Sequence, residues 1–252
     1  LEKVTGLVRS FFPHAEKDTI CRWIERGQGK PAGSFWTLDP IDGTKGFLRA
    51  GGQYVTALAF IRDGKVELAA MGCPELELKN YKAFGKGVGI FAVRGEGCRA
   101  FSLDHIQDPG RWVRLQVSSC REVGQARILD SFDPEHKNVE KNERVSKALG
   151  TRSPPVVLDS MAKHAVIASG GAEIFFRTLP RKEPDYRDKI WDVAAGALVV
   201  EEAGGRVTDL EGRELDFSAG LTLAKNPGLL ATNGFLHDAV LEAFRRTAQS
   251  PR

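Results

Sequence analysis

The chain lacks most of the features that assign a protein at a glance. No apolar run approaches the length of a membrane-spanning helix. The first residues carry no signal-peptide pattern. The four cysteines, Cys21, Cys73, Cys98 and Cys120, are scattered without a CxxC pair, which argues against a zinc site. Reduced thiols are then the expectation, in an intracellular compartment such as the cytoplasm or an organelle matrix, chloroplast or mitochondrion included. The charge excess is only +3, too small for a nucleic-acid polymer as partner but compatible with a small anionic substrate. There is no internal repeat. The 27 glycines and 12 prolines are spread as turn residues, not as low complexity. An initiator Met is also absent. "LEKVTGLVRSFF" reads as an amphipathic helix already under way, with Leu1, Val4, Leu7, Val8 and Phe11 on one face, so further residues are expected before it.

What remains is an ordinary soluble composition, 42% hydrophobic and 27% charged over 252 residues, enough for one large domain or two lobes. Helices are predicted at about 1–12 and 17–27. Strands come next at "SFWTLD", at a hairpin turning on Asp63-Gly64, at a second hairpin around Gly95–Gly97, and at "WVRLQVS" and "ARILDSF". From about 137 the pattern alternates. Helices are predicted at "KNVEKNERVSKALG", "MAKHAVIASG", "WDVAAGALVVEEAGG" and "FLHDAVLEAFRRTA", with strands "PPVVLDS", "AEIFFR", "RVTDLEG" and "GLLATNG" between them. The expected class is therefore α/β in layers. An N-terminal α+β lobe would span 1–125 and a C-terminal layered α/β lobe 126–252.

The chemistry gathers in two stretches. In "FWTLDPIDGTKGFLR", Pro40 pushes Asp39 to extended geometry and breaks the strand. Gly43 permits an unusual backbone angle, and Thr44 can cap the segment after it. Asp39 and Asp42 could then converge beyond the strand end, as a hard cation requires. Asp-Pro-x-Asp-Gly is equally good turn chemistry, and on these residues alone the turn is the commoner explanation. The second stretch, "KIWDVAAGALVVEEAGG", sets Asp192 at the start of a small-residue helix beside apolar Trp191. Taken alone, Asp192 is also a fair N-cap, worth about 1 kcal/mol.

Together, "LDPIDGTKGF" and "WDVAAG" resemble the metal-dependent, lithium-sensitive phosphatases of the inositol monophosphatase superfamily. "DGTKGFLR" and "LDSMAKHAVIASGGAEIFFR" are similar to the 3′(2′),5′-bisphosphate nucleotidase branch. The resemblance implies alternating helix and sheet layers of the inositol monophosphatase and sugar phosphatase type. It implies two or three Mg²⁺ ions on Asp39, Asp42, Asp192 and the Ile41 carbonyl. Thr44 and Asp42 would act in catalysis, with Gly43 and Thr44 at the scissile phosphate. His136, Ser160, Lys163 and Arg177 would hold the nucleotide and its second phosphate. The implied reaction removes the 3′-phosphate of 3′-phosphoadenosine 5′-phosphate to give AMP, and extends to 3′-phosphoadenosine 5′-phosphosulfate.

Outside the resemblance these residues have plainer readings. A lone Lys or Arg is most often a solvated surface charge, His136 a loop histidine, and Ser160 the cap of the helix it opens. Glu201 and Glu202 read as structural or solvated. The family's N-terminal helices, with an aspartate near Thr44 and a Glu-Glu pair, find no match from Leu1 onward. "RAGGQY" and Val193 also depart from the pattern. An inositol polyphosphate 1-phosphatase, or an inactive member serving as a structural or regulatory subunit, stands as an alternative. Oligomeric state is left open, and neither a membrane nor a polymer partner is expected.

Overall fold

The computed structural model describes every residue except 30–31, 50–52, 133–136, 184 and 250–252. Two compact units result, Leu1–Ala32 and Gly33–Arg252. In the smaller, α1 (Glu2–Arg9) and α2 (Lys17–Glu25) are joined by a turn. α1 stops earlier than the pattern suggests. Pro13 disfavours helical geometry at Phe12, and the Arg9 side chain turns to donate to the Ala15 carbonyl, 2.9 Å. Phe12 and Trp23 pack edge to face at 5.7 Å.

The larger unit opens with β1 (Ser34–Asp42), a short helix α3 (Thr44–Leu48), and the antiparallel strands β2 (Val55–Arg62), β3 (Lys65–Cys73), β4 (Val88–Val93), β5 (Gly97–Ser102) and β6 (Val113–Arg114). These six pair in sequence order. The first predicted hairpin turns at Asp63 and Gly64, both at positive φ. Glu202 closes the second by accepting from the Gly95 and Gly97 amides, each at 2.8 Å. β6 is shorter than "WVRLQVS" implies. Past Leu115 the chain leaves β5, and the Val117 amide donates to Ala203 at 3.0 Å.

Next come β7 (Ile128–Asp130), α4 (Val139–Leu149), β8 (Val156–Val157), α5 (Ala162–Ala168), β9 (Ile174–Arg177), α6 (Ala194–Glu202), β10 (Arg206–Thr208), β11 (Leu229–Thr232) and α7 (His237–Gln249). The second sheet has the order β10-β11-β9-β7-β8. Pro154 and Pro155 lack the donors a longer β8 would need.

Strand alternation explains the layering. Phe175 of β9 faces a core shared with α5, α6 and the first sheet, while Ile174 and Phe176 face a second core with α4 and α7. α6 is buried from Ala194 to Val200, as a helix between two sheets must be. The result is mixed helix and sheet in alternating layers. The expected lobe boundary at 125/126 falls in the connection between β6 and β7.

His237 ties α7 to the second sheet. Its ring nitrogens reach the Thr208 and Thr232 hydroxyls, each at 2.9 Å. Burial pushes its pKa down from 6.5 to about 4. A base whose pKa falls on folding loses stability as pH drops from the unfolded value towards the folded one. Urea midpoints should therefore decline between pH 6.5 and 4, by about 3 kcal/mol in all. His237→Gln should flatten that slope, and an unchanged slope would refute the assignment.

Candidate active site

Side chains three apart on a regular strand point to opposite faces. Asp39 and Asp42 escape this rule because β1 slips by one residue. Asp39 pairs with Ala57, but Asp42 pairs with Val55. The extra residue at Pro40-Ile41 is a bulge, and it returns Asp42 to the side of Asp39. The Ile41 amide donates to Asp39 Oδ1, 3.0 Å. Thr44 Oγ1 donates back to the Ile41 carbonyl, 2.9 Å, so Thr44 braces the bulge and does not cap α3. Gly43, at φ 84, takes the cap position of α3. A Cβ there would lie 2.8 Å from both the Gln53 carbonyl and Ser160 Cβ, so only glycine admits this approach.

Asp192 arrives from across the core. It ends a tight turn, Ile190–Asp192, ahead of α6, and no side chain caps that helix. The N-cap reading of Asp192 is thus overturned, because its carboxylate is turned towards Asp39 and Asp42. One oxygen from each of the three lies within 4.8 Å of the others. Burial raises all three pKa values, Asp42 to about 6 and Asp192 to about 7. Asp42 is steadied by the Met161 amide.

The facing wall is α5 and its lead-in. Ser160 adopts φ 61, strained for a residue with a Cβ, and its Oγ accepts from the Ala162 amide at 3.2 Å. The cap position of α5 belongs to Met161, with no side-chain cap bond, so the plainer reading of Ser160 as the helix cap is not met. Lys163 is no surface charge: it is 5% exposed. Its Nζ donates to the Leu158 carbonyl at 2.9 Å and lies 5.2 Å from the Phe175 ring centre. Burial lowers its pKa to about 8. Arg177, at the end of β9 on the Phe175 side, lies mostly buried beside Asp188, with Nη2 to Oδ1 at 2.8 Å.

Asp39, Ile41, Asp42, Gly43, Thr44, Ser160, Lys163, Arg177 and Asp192 all line one cavity of about 360 Å³. His136 lies outside the described residues. A larger cavity, about 460 Å³, opens at the far end of α6. Its Arg94 and Glu201 already pair with one another at 3.1 Å, and it holds no such cluster.

Sequence reasoning missed several residues in and beside the cavity, among them Asp188, His164 and Asp159. Asp188 gave no signal, being one acid among many. His164 lines the cavity with neither ring nitrogen hydrogen-bonded, and burial pushes its pKa down to about 3. Asp159 takes an ion pair from Arg49. The one usable clue was Gly196, where a Cβ would come within 2.6 Å of His164 Cγ. Gly196→Ala should therefore separate α5 from α6 and lower stability by about 1–3 kcal/mol, read from chemical denaturation. A neutral result would mean the helices yield freely.

The donor set fits a hard cation. Three carboxylate oxygens and a carbonyl are oxygen ligands of the kind Mg²⁺ takes. Among the described residues, these half-buried acids have no ion-pair partner, and Lys163 and Arg177 are engaged by Leu158 and Asp188.

Comparison with known proteins agrees. The family model for the inositol monophosphatase family matches residues 16–249, and the chain belongs to that family. The family is metal-dependent, and the Asp39–Asp42–Asp192 cluster is a candidate for holding the metal. A 3′(2′),5′-bisphosphate nucleotidase of Emericella nidulans is 40% identical over 88% of this chain and 66% of its own length. One from Oryza sativa is 39% identical over 97% of this chain and 71% of its own. The chain thus spans about two thirds of the length of these curated relatives. Among solved structures, an inositol monophosphatase of Thermotoga maritima shares the fold with a TM-score of 0.64 at 24% identity, covering 98% of this chain and 80% of that one. CysQ from Bacteroides thetaiotaomicron does so with 0.61 at 20%, covering 83% and 72%. Among the described residues, no helix is long and apolar enough to cross a membrane. The four cysteines are free.

Proposed function

We propose that this chain forms the catalytic part of a Mg²⁺-dependent 3′(2′),5′-bisphosphate nucleotidase that converts 3′-phosphoadenosine 5′-phosphate to AMP. The observation that carries this reading is the pairing of two unlike charge centres in one cavity. Three carboxylates converge in it, and buried Lys163 and mostly buried Arg177 line it as well. A substrate with two phosphates matches both centres; a monophosphate matches only one. The names of the Emericella and Oryza relatives support the same substrate.

Asp39, Asp42, Asp192 and the Ile41 carbonyl would hold the metal, two or three ions in all. Bound there, Mg²⁺ supplies a Lewis acid that activates water and offsets charge on the phosphate. The chain's own groups do the rest. Thr44 Oγ1 donates its hydrogen bond to the Ile41 carbonyl, which leaves its lone pairs to accept from an attacking water and orient it. Gly43 keeps the backbone close enough for the scissile phosphate to approach α3. Lys163 is pre-set by Leu158 and Phe175, so little side-chain entropy is lost when it meets the second phosphate. Arg177 adds a planar donor fork. Ser160 and His136 complete the nucleotide contacts.

The test is phosphate release by the full-length protein with Mg²⁺, with AMP identified as product. Inositol 1,4-bisphosphate serves as the competing substrate. Faster release from the inositol compound would replace this reading with an inositol polyphosphate 1-phosphatase. No release from either would point to an inactive member.

A further inference from the structure

Arg177 poses an electrostatic problem. The Arg177 side chain, 22% exposed, shares a cavity with three carboxylates that have no ion-pair partner among the described residues. Burial works against its charge, while Asp188, then Asp192, and more weakly Asp42 attract it and hold its pKa up. Asp192 is one of the three converging acids, so the cluster too draws on the guanidinium. It is found instead 2.8 Å from Asp188. Asp188 is 2% exposed and is not one of the three converging acids.

The segment carrying Asp188 cannot follow the arginine. The Asp188 carbonyl accepts from the Leu223 amide at 2.8 Å, and the Ile190 amide donates to Leu221 at 3.1 Å. Lys189 bridges to Thr222 between them. The carboxylate is therefore a fixed anchor. The contact itself is an ion pair without hydrogen-bond alignment. Arg177 Nε and Nη2 and Asp188 Oδ1 all lack a well-directed partner. Charge holds the guanidinium in place, and its N–H groups are not consumed.

We propose that Asp188 is a positioning residue that draws the Arg177 guanidinium off Asp39, Asp42 and Asp192. The acids stay open to a cation, and the guanidinium stays available to an anion. This rests on the reading of the three acids as a metal site.

Mn²⁺ titrated into the substrate-free protein and followed by electron paramagnetic resonance tests it. Wild-type protein that takes up no Mn²⁺ would overturn the metal-site reading itself. Asp188→Asn should weaken Mn²⁺ binding about 10-fold or more, the range for partners one step removed from a metal. In an Arg177→Met background the same change should alter the affinity less than about 2-fold, since the two residues act as a pair. An equal loss in both backgrounds would mean that Asp188 acts by its own charge and would overturn the inference. So would Asp188→Asn binding Mn²⁺ like the wild type. Near-ultraviolet circular dichroism checks folding. Should Asp188→Asn fail to fold, Asp188→Glu carries the test. Its longer arm displaces the guanidinium, so the affinity should shift by about 3-fold or more only while Arg177 is present; an equal shift without Arg177 overturns the inference.

Discussion

Asp42→Asn is expected to lower phosphate release by about 10³-fold or more while raising the melting temperature of the metal-free protein at pH 7. The two effects share a cause. Asp42 is half-buried, lies close to Asp39 and Asp192, and has its pKa raised from 3.8 to about 6 by desolvation. An acid whose pKa rises on folding favours the folded state below the unfolded value and loses that contribution as pH climbs through the folded one. At pH 7 the ionised group therefore costs the metal-free fold about 3 kcal/mol. Asparagine keeps an oxygen for the Met161 amide and removes the charge, so the cost disappears along with the ligand. Scanning calorimetry with and without Mg²⁺ separates the contributions. The wild type should gain stability from the metal, and the variant should start higher and gain far less. A metal-free variant that melts below the wild type would show that the cluster is not under repulsion.

How much of the molecule could be read from its sequence depends on the range of the interactions. The turns at Asp63-Gly64 and the helix stop at Gly150 are local, and both take the positive φ that their residues allow. The run of small and apolar residues marked α6 as a helix, and its burial from Ala194 to Val200 came only with the fold. β6 came out shorter because its pairing is decided by distant partners, whereas β8 is cut short locally by Pro154 and Pro155. The candidate site divides in the same way. Asp39 and Asp42 stood out through their spacing and Asp192 through its small-residue helix. The bulge that turns two of them to one side does not show in spacing, since three residues on a strand predict divergence. Lys163 was recoverable only through family resemblance, because nothing in "MAKHAV" says that a lysine is buried. Asp188 was invisible, as its meaning lies wholly in the position of Arg177.

Lys163→Met should reverse the usual sense of a binding-site mutation. Among the described residues, the Leu158 carbonyl and the Phe175 ring are the groups that engage the ammonium directly, and burial brings its pKa down to about 8. A lysine with a lowered folded pKa costs the fold its full penalty below that value. The cost is relieved as pH rises towards the unfolded value of 10.5. At pH 7 the penalty is about 3 kcal/mol. Methionine fills similar space without charge and makes a favourable contact with the Phe175 ring. The variant should thus melt several degrees higher and lose the pH dependence of stability between 8 and 10.5. Catalysis should suffer in the opposite sense. Losing a buried, charge-assisted contact to the uncleaved phosphate should raise KM for the bisphosphate by about 30-fold to 100-fold, with a smaller change in kcat. A monophosphate substrate, which leaves that position empty, should be nearly indifferent to the substitution. In the wild type, kcat/KM for the bisphosphate should fall as pH rises through about 8, where the free protein's Lys163 loses its proton. The monophosphate comparison is the decisive arm. If both substrates lose affinity equally, Lys163 does not face the second phosphate, and the division of the cavity into a cleaving end and a holding end fails with it.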